Sequence, residues 1–129
     1  MDLNDQQISG LIVRVENVMY VPHLDTPKDK SFAFVYFITV KNNAKVTVTI
    51  KGRKWVVREA DGECTVVEGA GVVGETPTIE PGGEFTYNSY HVVQHESEVQ
   101  GALFGTTESG GLFSVRIPDF KLRIPFSGA

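Results

Sequence analysis

Apolar residues recur at every second position along much of the chain. Leu11, Val13 and Val15 alternate with Ile12, Arg14 and Glu16, the period of two that sends successive side chains to opposite faces of a β-strand. Residues 32–42 (FAFVYFITVKN) are instead apolar on both faces for most of their length. That pattern predicts a central strand, covered on each side or held at a tight interface. Val46, Val48 and Ile50 alternate with Thr47, Thr49 and Lys51, and after Gly52 the run Trp55-Val56-Val57 continues in the same direction. Gly52 marks a bulge in this reading.

The junctions carry turn chemistry. Ala60-Asp61-Gly62-Glu63 supplies an Asp-Gly pair between Val56-Val57 and Val66-Val67, which predicts a two-residue hairpin turn. Glu80-Pro81-Gly82-Gly83 combines a fixed φ with a residue free to turn positive, ahead of a strand at Phe85-Thr86-Tyr87, and so predicts a β-turn. Glu108-Ser109-Gly110-Gly111 separates Val99 to Phe104 from Leu112 to Ile117, and Pro118 ends the latter by removing a ladder donor. No window sustains a helical period with caps, and at most one short helical turn is expected, near Asp25 to Lys30. About seven short strands predict an all-β fold, a two-sheet antiparallel β-sandwich of the fibronectin type III or immunoglobulin-like kind, with a barrel as the alternative. Phe34, Tyr36, Ile38, Trp55, Val57, Phe113, Val115 and Ile117 are its expected core.

Length and composition narrow the picture. The 129 residues fit one domain of the usual ~100–150 residues, read here as 1–129 with a core of about 8–125 and mobile ends at Met1 to Gln7 and Ser127 to Ala129. Hydrophobic residues at 41% and charged residues at 22% support a packed globule. The net charge of −4 opposes the phosphate neutralisation on which duplex nucleic-acid binding depends. Cys64 is the single cysteine, so no intrachain disulfide can form, and neither Glu63 nor Thr65 supplies a cation to activate it. The first ten residues show no basic-then-apolar leader, and no stretch approaches the ~20 apolar residues of a membrane span. A cytoplasmic protein without a membrane partner is expected.

Candidate chemistry is sparse. Gly69-Ala70-Gly71-Val72-Val73-Gly74 spells G-x-G-x-x-G, yet the prolines at 77 and 81 forbid the helix that would hold a dinucleotide pyrophosphate. Either these glycines let the chain turn and pack closely, or Gly69, Gly71 and Gly74 present amides as an anion-binding nest assisted by Arg53, with Lys51 and Lys54 near in sequence. His91 and His95 with Glu96 and Glu98 have chelate spacing only on a helix; in a strand the histidines stand roughly 13 Å apart at ~3.3 Å per residue, and no metal site is expected. His23 sits in an ordinary loop sequence. Ser89 and Ser97 lack the Gly-x-Ser-x-Gly elbow of a serine hydrolase, and Trp55 is expected to pack in the core. No catalytic residue and no cofactor is assigned.

A longer string is more specific: Arg53-Lys54-Trp55, Asp61-Gly62, Val67, residues 69–75, Pro77, Pro81-Gly82, Phe85, Tyr87 and Ser89. With Phe34, Tyr36, Ile38, Val40 and Asn42 before it and Gly101, Phe113, Val115, Ile117-Pro118, Phe120 and Leu122 after it, the chain resembles the ApaG family. It departs at Lys54 and Ala70, where histidine and an acidic residue are expected, and at Phe104, where tyrosine is usual. The resemblance implies a fibronectin type III or immunoglobulin-like sandwich. Bacterial members take their name from a gene beside a dinucleoside tetraphosphate hydrolase, and similar domains end some F-box proteins and a polymerase-interacting protein. What it implies for function is a non-catalytic binding module for an unidentified protein partner, the chain's own copy in a homodimer included. The alternative it leaves is weak binding of pyrophosphate or dinucleoside polyphosphates at the Gly69 to Gly74 loop, or an accessory role in divalent-cation homeostasis.

Overall fold

The computed structural model describes residues 5–6, 8–22 and 24–125. The strands are β1 (Asp5–Gln6), β2 (Leu11–Tyr20), β3 (Phe32–Asn42), β4 (Val48–Glu59), β5 (Cys64–Ala70), β6 (Thr78–Ile79), β7 (Glu84–Val93), β8 (Ser97–Thr107) and β9 (Leu112–Leu122). There is no helix among the described residues. Seven strands are long and two, β1 and β6, have only two residues. Pro118 does not end its strand as expected: β9 runs on to Leu122, and a register shift against β8 between Phe120 and Ile117 takes up the proline that cannot donate to the ladder. His23 lies outside the described residues, as do residues 127–129 of the expected mobile ends; within the other end, Asp5 and Gln6 are ordered as β1 against β9.

Two sheets form. One has the order β1-β9-β8-β4-β5, with β6 also on β4, and the other has the order β2-β3-β7. All pairings are antiparallel except that of β1 with β9. The architecture is therefore the sandwich, and the barrel alternative falls because the sheets keep separate edges. β3 is the middle strand of the smaller sheet; the larger sheet covers its inward face, and its outward side chains are buried or half-buried between those of β2 and β7. Phe34, Tyr36, Ile38 and Val40 of β3 are buried facing Val48, Ile50, Trp55 and Val57 of β4, Leu103 of β8, and Phe113 and Ile117 of β9. Each such side chain contributes about 1.5–3 kcal/mol of burial. Seven of the eight expected core residues are buried, and Val115 packs partly buried against them.

The turns refine the sequence reading. A register shift between Ile50 and Gly52 against β8 is the expected bulge, and β4 runs through it unbroken. The β4–β5 hairpin closes between Glu59 and Glu63, so three residues form its loop rather than the expected two. Only Gly62 has a positive φ there, at 96°. That is the type I turn plus left-handed residue of three-residue hairpins, and the Asp61 carboxylate reinforces it by accepting from the Glu63 amide at 2.9 Å. Thr107 to Gly111 repeats the pattern with Gly110 at 88°. Near residues 25–30 the chain makes a single turn, Lys30 N–H to Pro27 carbonyl, and no helix.

Candidate functional site

The larger sheet outreaches the smaller one. β5, its last strand, is exposed at every residue except Gly69, and Val66 and Val67 stand 55% and 38% exposed. The inner face of β5 is left uncovered, and between it and β7 opens a cleft of about 360 Å³. Arg53, Trp55, Val57 and Glu59 of β4, Thr65 and Val67 of β5, and Ser89, Tyr90, His91 and Val92 of β7 line it.

Register explains this lining. Odd-numbered residues of β7 face inward, so Tyr87, Ser89 and His91 stand opposite Ile38, Tyr36 and Phe34 of β3. His91 Nε2 lies 3.1 Å from the Tyr36 hydroxyl, and the two rings stack at 5.1 Å. Trp55 meets both His91 and Tyr36 edge-on at 5.1 and 5.5 Å, and Phe120 closes the cluster behind them. Burial pushes His91 down to about 4, so its imidazole is neutral at pH 7. Burial likewise pushes the Tyr36 phenol up to about 12 and raises Tyr87, while the Arg53 charge pulls both the other way. The Tyr87 hydroxyl is buried with no hydrogen-bond partner among the described residues.

Arg53 joins this cluster to the glycine segment. It pairs across the ladder with Gly69, over which its guanidinium folds; a Cβ on Gly69 would lie 2.6 Å from Nη1. Nη1 donates to the Ala70 carbonyl at 2.9 Å and more weakly to that of Gly71 at 3.5 Å. Beyond Ala70 the chain leaves the edge of β4, turns, and returns as β6 beside Val48 and Thr49. Gly71 N–H to the Lys51 carbonyl and Ile50 N–H to the Pro77 carbonyl fasten the two ends of this detour. Gly71 has φ 69°, and a Cβ there would lie 2.6 Å from the Glu75 carbonyl oxygen. At the tip, Val72 and Glu75 exchange hydrogen bonds around Val73 and Gly74, whose φ values are 50° and 79°. The tip is thus a type I′ turn.

The amides of Gly71, Val72 and Glu75 are consequently committed to backbone carbonyls. Only those of Val73 and Gly74, within the segment from Gly71 to Glu75, lack an acceptor among the described residues. Arg53 is brought against Gly69 and Gly71, as a shared site would require, but Gly74 sits at the far tip of the turn. Lys51 and Lys54 are exposed.

The remaining sequence candidates separate. His95 is exposed and lies 3.4 Å from Asp61, away from the half-buried His91. No group of three metal-ligating side chains occurs among the described residues. Ser97 is buried and donates to the His95 carbonyl at 2.8 Å, and Cys64 is exposed at the start of β5. Sequence reasoning missed the cleft itself. The signal was present in β7, where polar Tyr87, Ser89 and His91 occupy the face that alternation assigns to the core.

A second buried polar centre closes the end of the cleft. The Glu59 side chain is 1% exposed; one carboxylate oxygen accepts from the amides of Gln94 and His95 at 2.8 and 3.0 Å, and the other from the Lys30 ammonium. Burial works to raise this carboxyl, and Lys30 with the two amides outweighs it, holding the group below its ordinary value. Lys30 also reaches Glu63 at 2.8 Å. Glu59 is thereby neutralised within the protein. No helix of the described residues is long and apolar enough to cross a membrane.

Comparison with known proteins gives a consistent picture. Residues 22–106 match the family described as the ApaG domain. Protein ApaG of Shewanella woodyi is 41% identical over 107 residues, covering 82% of this chain and 85% of that protein. Protein ApaG of Acidithiobacillus ferrooxidans is 38% identical over 124 residues, covering 93% and 94%. Among solved structures, the X-ray structure of a structural-genomics target superposes with a TM-score of 0.82 at 33% identity over 92% of this chain and 89% of that one. A crystal structure of a Bordetella pertussis protein described as ApaA gives 0.81 at 27% identity over 95% and 99%. None of these names states a catalytic activity.

Proposed function

Because the chain belongs to the ApaG family, we propose that it is a non-catalytic binding module that takes an extended strand of another polypeptide onto the free edge of β5. The observation that carries this reading is the exposure of β5 on both faces, with Val66 and Val67 uncovered. An edge strand offers a row of unpaired amides and carbonyls, and proteins normally blunt such an edge with a bulge, a proline or charged side chains, lysine above all. Residues 64–70 (CTVVEGA) carry no proline, no lysine and no bulge against β4, and Glu68 is their one charged side chain. The opposite edges are treated differently: β1 covers part of β9, and β2 is broken by a bulge at Glu16/Met19 with Asn17 at φ 54°. Strand addition at β5 would draw affinity from main-chain bonds and selectivity from alternate side chains.

A second copy of the chain is the simplest donor, pairing β5 with β5 about a twofold axis. Sedimentation at micromolar concentration tests that form, with Val66→Lys expected to abolish any dimer. A photo-crosslinker at position 66, expressed in the native cell, tests the general form against a control at the exposed Arg116. Adducts at 66 and none at 116 are expected; a strict monomer without adducts at 66 defeats the proposal. Pyrophosphate on Gly69, Gly71 and Gly74 is the alternative, with the amides of Val73 and Gly74 and the remaining guanidinium nitrogens of Arg53 left to hold it.

A further inference from the structure

The cleft between β5 and β7 has features that a strand edge does not need. Its side chains combine one cation with aromatic and apolar surface. Arg53 is half-buried and has no carboxylate within ion-pair distance among the described residues. Its Nη1 is held by carbonyls of the glycine detour, which aims the guanidinium while leaving its other nitrogens uncommitted. The other charged residue lining the cleft, Glu59, is already matched by Lys30 and two amides. The balance of the cleft is therefore one unmatched positive charge.

The walls are aromatic. Trp55, 4% exposed, meets His91 edge to face at 5.1 Å, Tyr90 stands 57% exposed at the rim, and Val67, beside Trp55 on the ladder, faces His91 across the opening. The neutral His91 ring adds a flat surface without a competing charge at pH 7. Ser89 lines the same space. A volume of about 360 Å³ is at the lower end of the range of small-molecule sites.

From these observations we propose that the cleft binds a small planar organic monoanion, a ring bearing one carboxylate, with the carboxylate on Arg53 and the ring between Val67 and His91. One cation matches one negative charge; a pyrophosphate, with several, would lack counter-charge there on a protein of net charge −4. The site is separate from strand addition, which uses the β5 main chain.

Benzoate added to the full chain and followed by amide chemical shifts tests this. Saturable shifts at Val67, Ser89 and His91 are expected, with a Kd of about 0.1–1 mM. Benzamide, flat but uncharged, should bind at least ~10-fold more weakly, because a charge-assisted bond is lost. Arg53→Gln should weaken benzoate by a similar factor. Since that change also loosens the glycine detour, Val67→Phe gives an independent arm: it fills the cleft from an exposed strand and should block binding while cooperative unfolding is retained. Absence of saturation, equal binding of benzamide, wild-type binding by Val67→Phe, or shifts confined to residues 72–74 would each overturn the proposal.

Discussion

Val73 is the residue whose sequence and conformation disagree most openly. It is β-branched, 59% exposed, and holds φ 50° in a type I′ turn, a region that costs an L-residue roughly 1–2 kcal/mol. Val73→Asn gives the Asn-Gly pair such turns favour and should stabilise the protein by about 1 kcal/mol in denaturant unfolding. No gain would mean that the turn is held by other forces. His91 makes the opposite kind of prediction. Its value falls from 6.5 in the unfolded chain to about 4 in the fold, so between those limits the unfolded state binds the extra proton. Stability is therefore full above pH 6.5 and declines as the pH falls to about 4, by roughly 3 kcal/mol in all. His91→Phe should flatten unfolding free energy against pH across that window; an unchanged slope would sink the assignment. Neither residue's state was legible in the sequence. Alternation placed His91 in a strand, but its burial depends on Tyr36 and Trp55 arriving from two other strands. Arg53 is similar: the sequence marked it as an anion helper, and only the ladder shows that it faces Gly69, with no side chain to stop the guanidinium folding onto the carbonyl of Ala70.

Strands were more legible than sites because each strand's signal is local. The period of two in β2, the two-sided run of β3 and the glycine bulge in β4 all follow from side-chain direction and appear where the sequence put them. What local pattern does not carry is which strand ends a sheet. β5 reads Thr-Val-Val like a buried strand, yet the smaller sheet stops at β7 and leaves β5 without cover. The detour from β5 to β6 was hidden for the same reason, since its glycines serve a departure from the edge of β4 and a return to that same edge. This has an energetic consequence for the element. Val66→Lys, offered above against strand pairing, should change unfolding stability by no more than ~0.5 kcal/mol, as for surface substitutions generally. A larger loss, measured by denaturant unfolding, would mean that Val66 is covered in the folded monomer and that β5 is not a free edge.

At the scale of the molecule, two polar clamps join the sheets at opposite ends of β3, roughly 33 Å apart at ~3.3 Å per residue. Beyond its first residue, Lys30 binds Glu59 at the end of β4, and Glu59 in turn holds the amides of the β7–β8 corner. At its last residue, Asn42 donates to the carbonyls of Val46 and Ile79 at 2.8 and 2.9 Å and accepts from the Ala44 amide at 2.9 Å. Both clamps tie the smaller sheet to the larger, but only one depends on charge. Asn42→Ala removes three hydrogen bonds, two of them buried, and should cost about 2–4 kcal/mol at any pH where the protein folds. Glu59→Gln keeps an acceptor for the two amides, and Lys30 retains Glu63, so its cost at pH 7 should be smaller, roughly 1–3 kcal/mol. The sign of its pH dependence follows from the depressed carboxyl. Its stabilisation is full above the ordinary carboxylate value of 4.5 and is lost as the pH falls through the lower folded value. Unfolding of the two variants beside the parent, at neutral pH and in acid well below that range, separates the clamps. The Asn42→Ala deficit should persist in acid while the Glu59→Gln deficit closes. Two deficits of unchanged size would show that Glu59 acts through its shape alone and that its charge does not hold the sheets together.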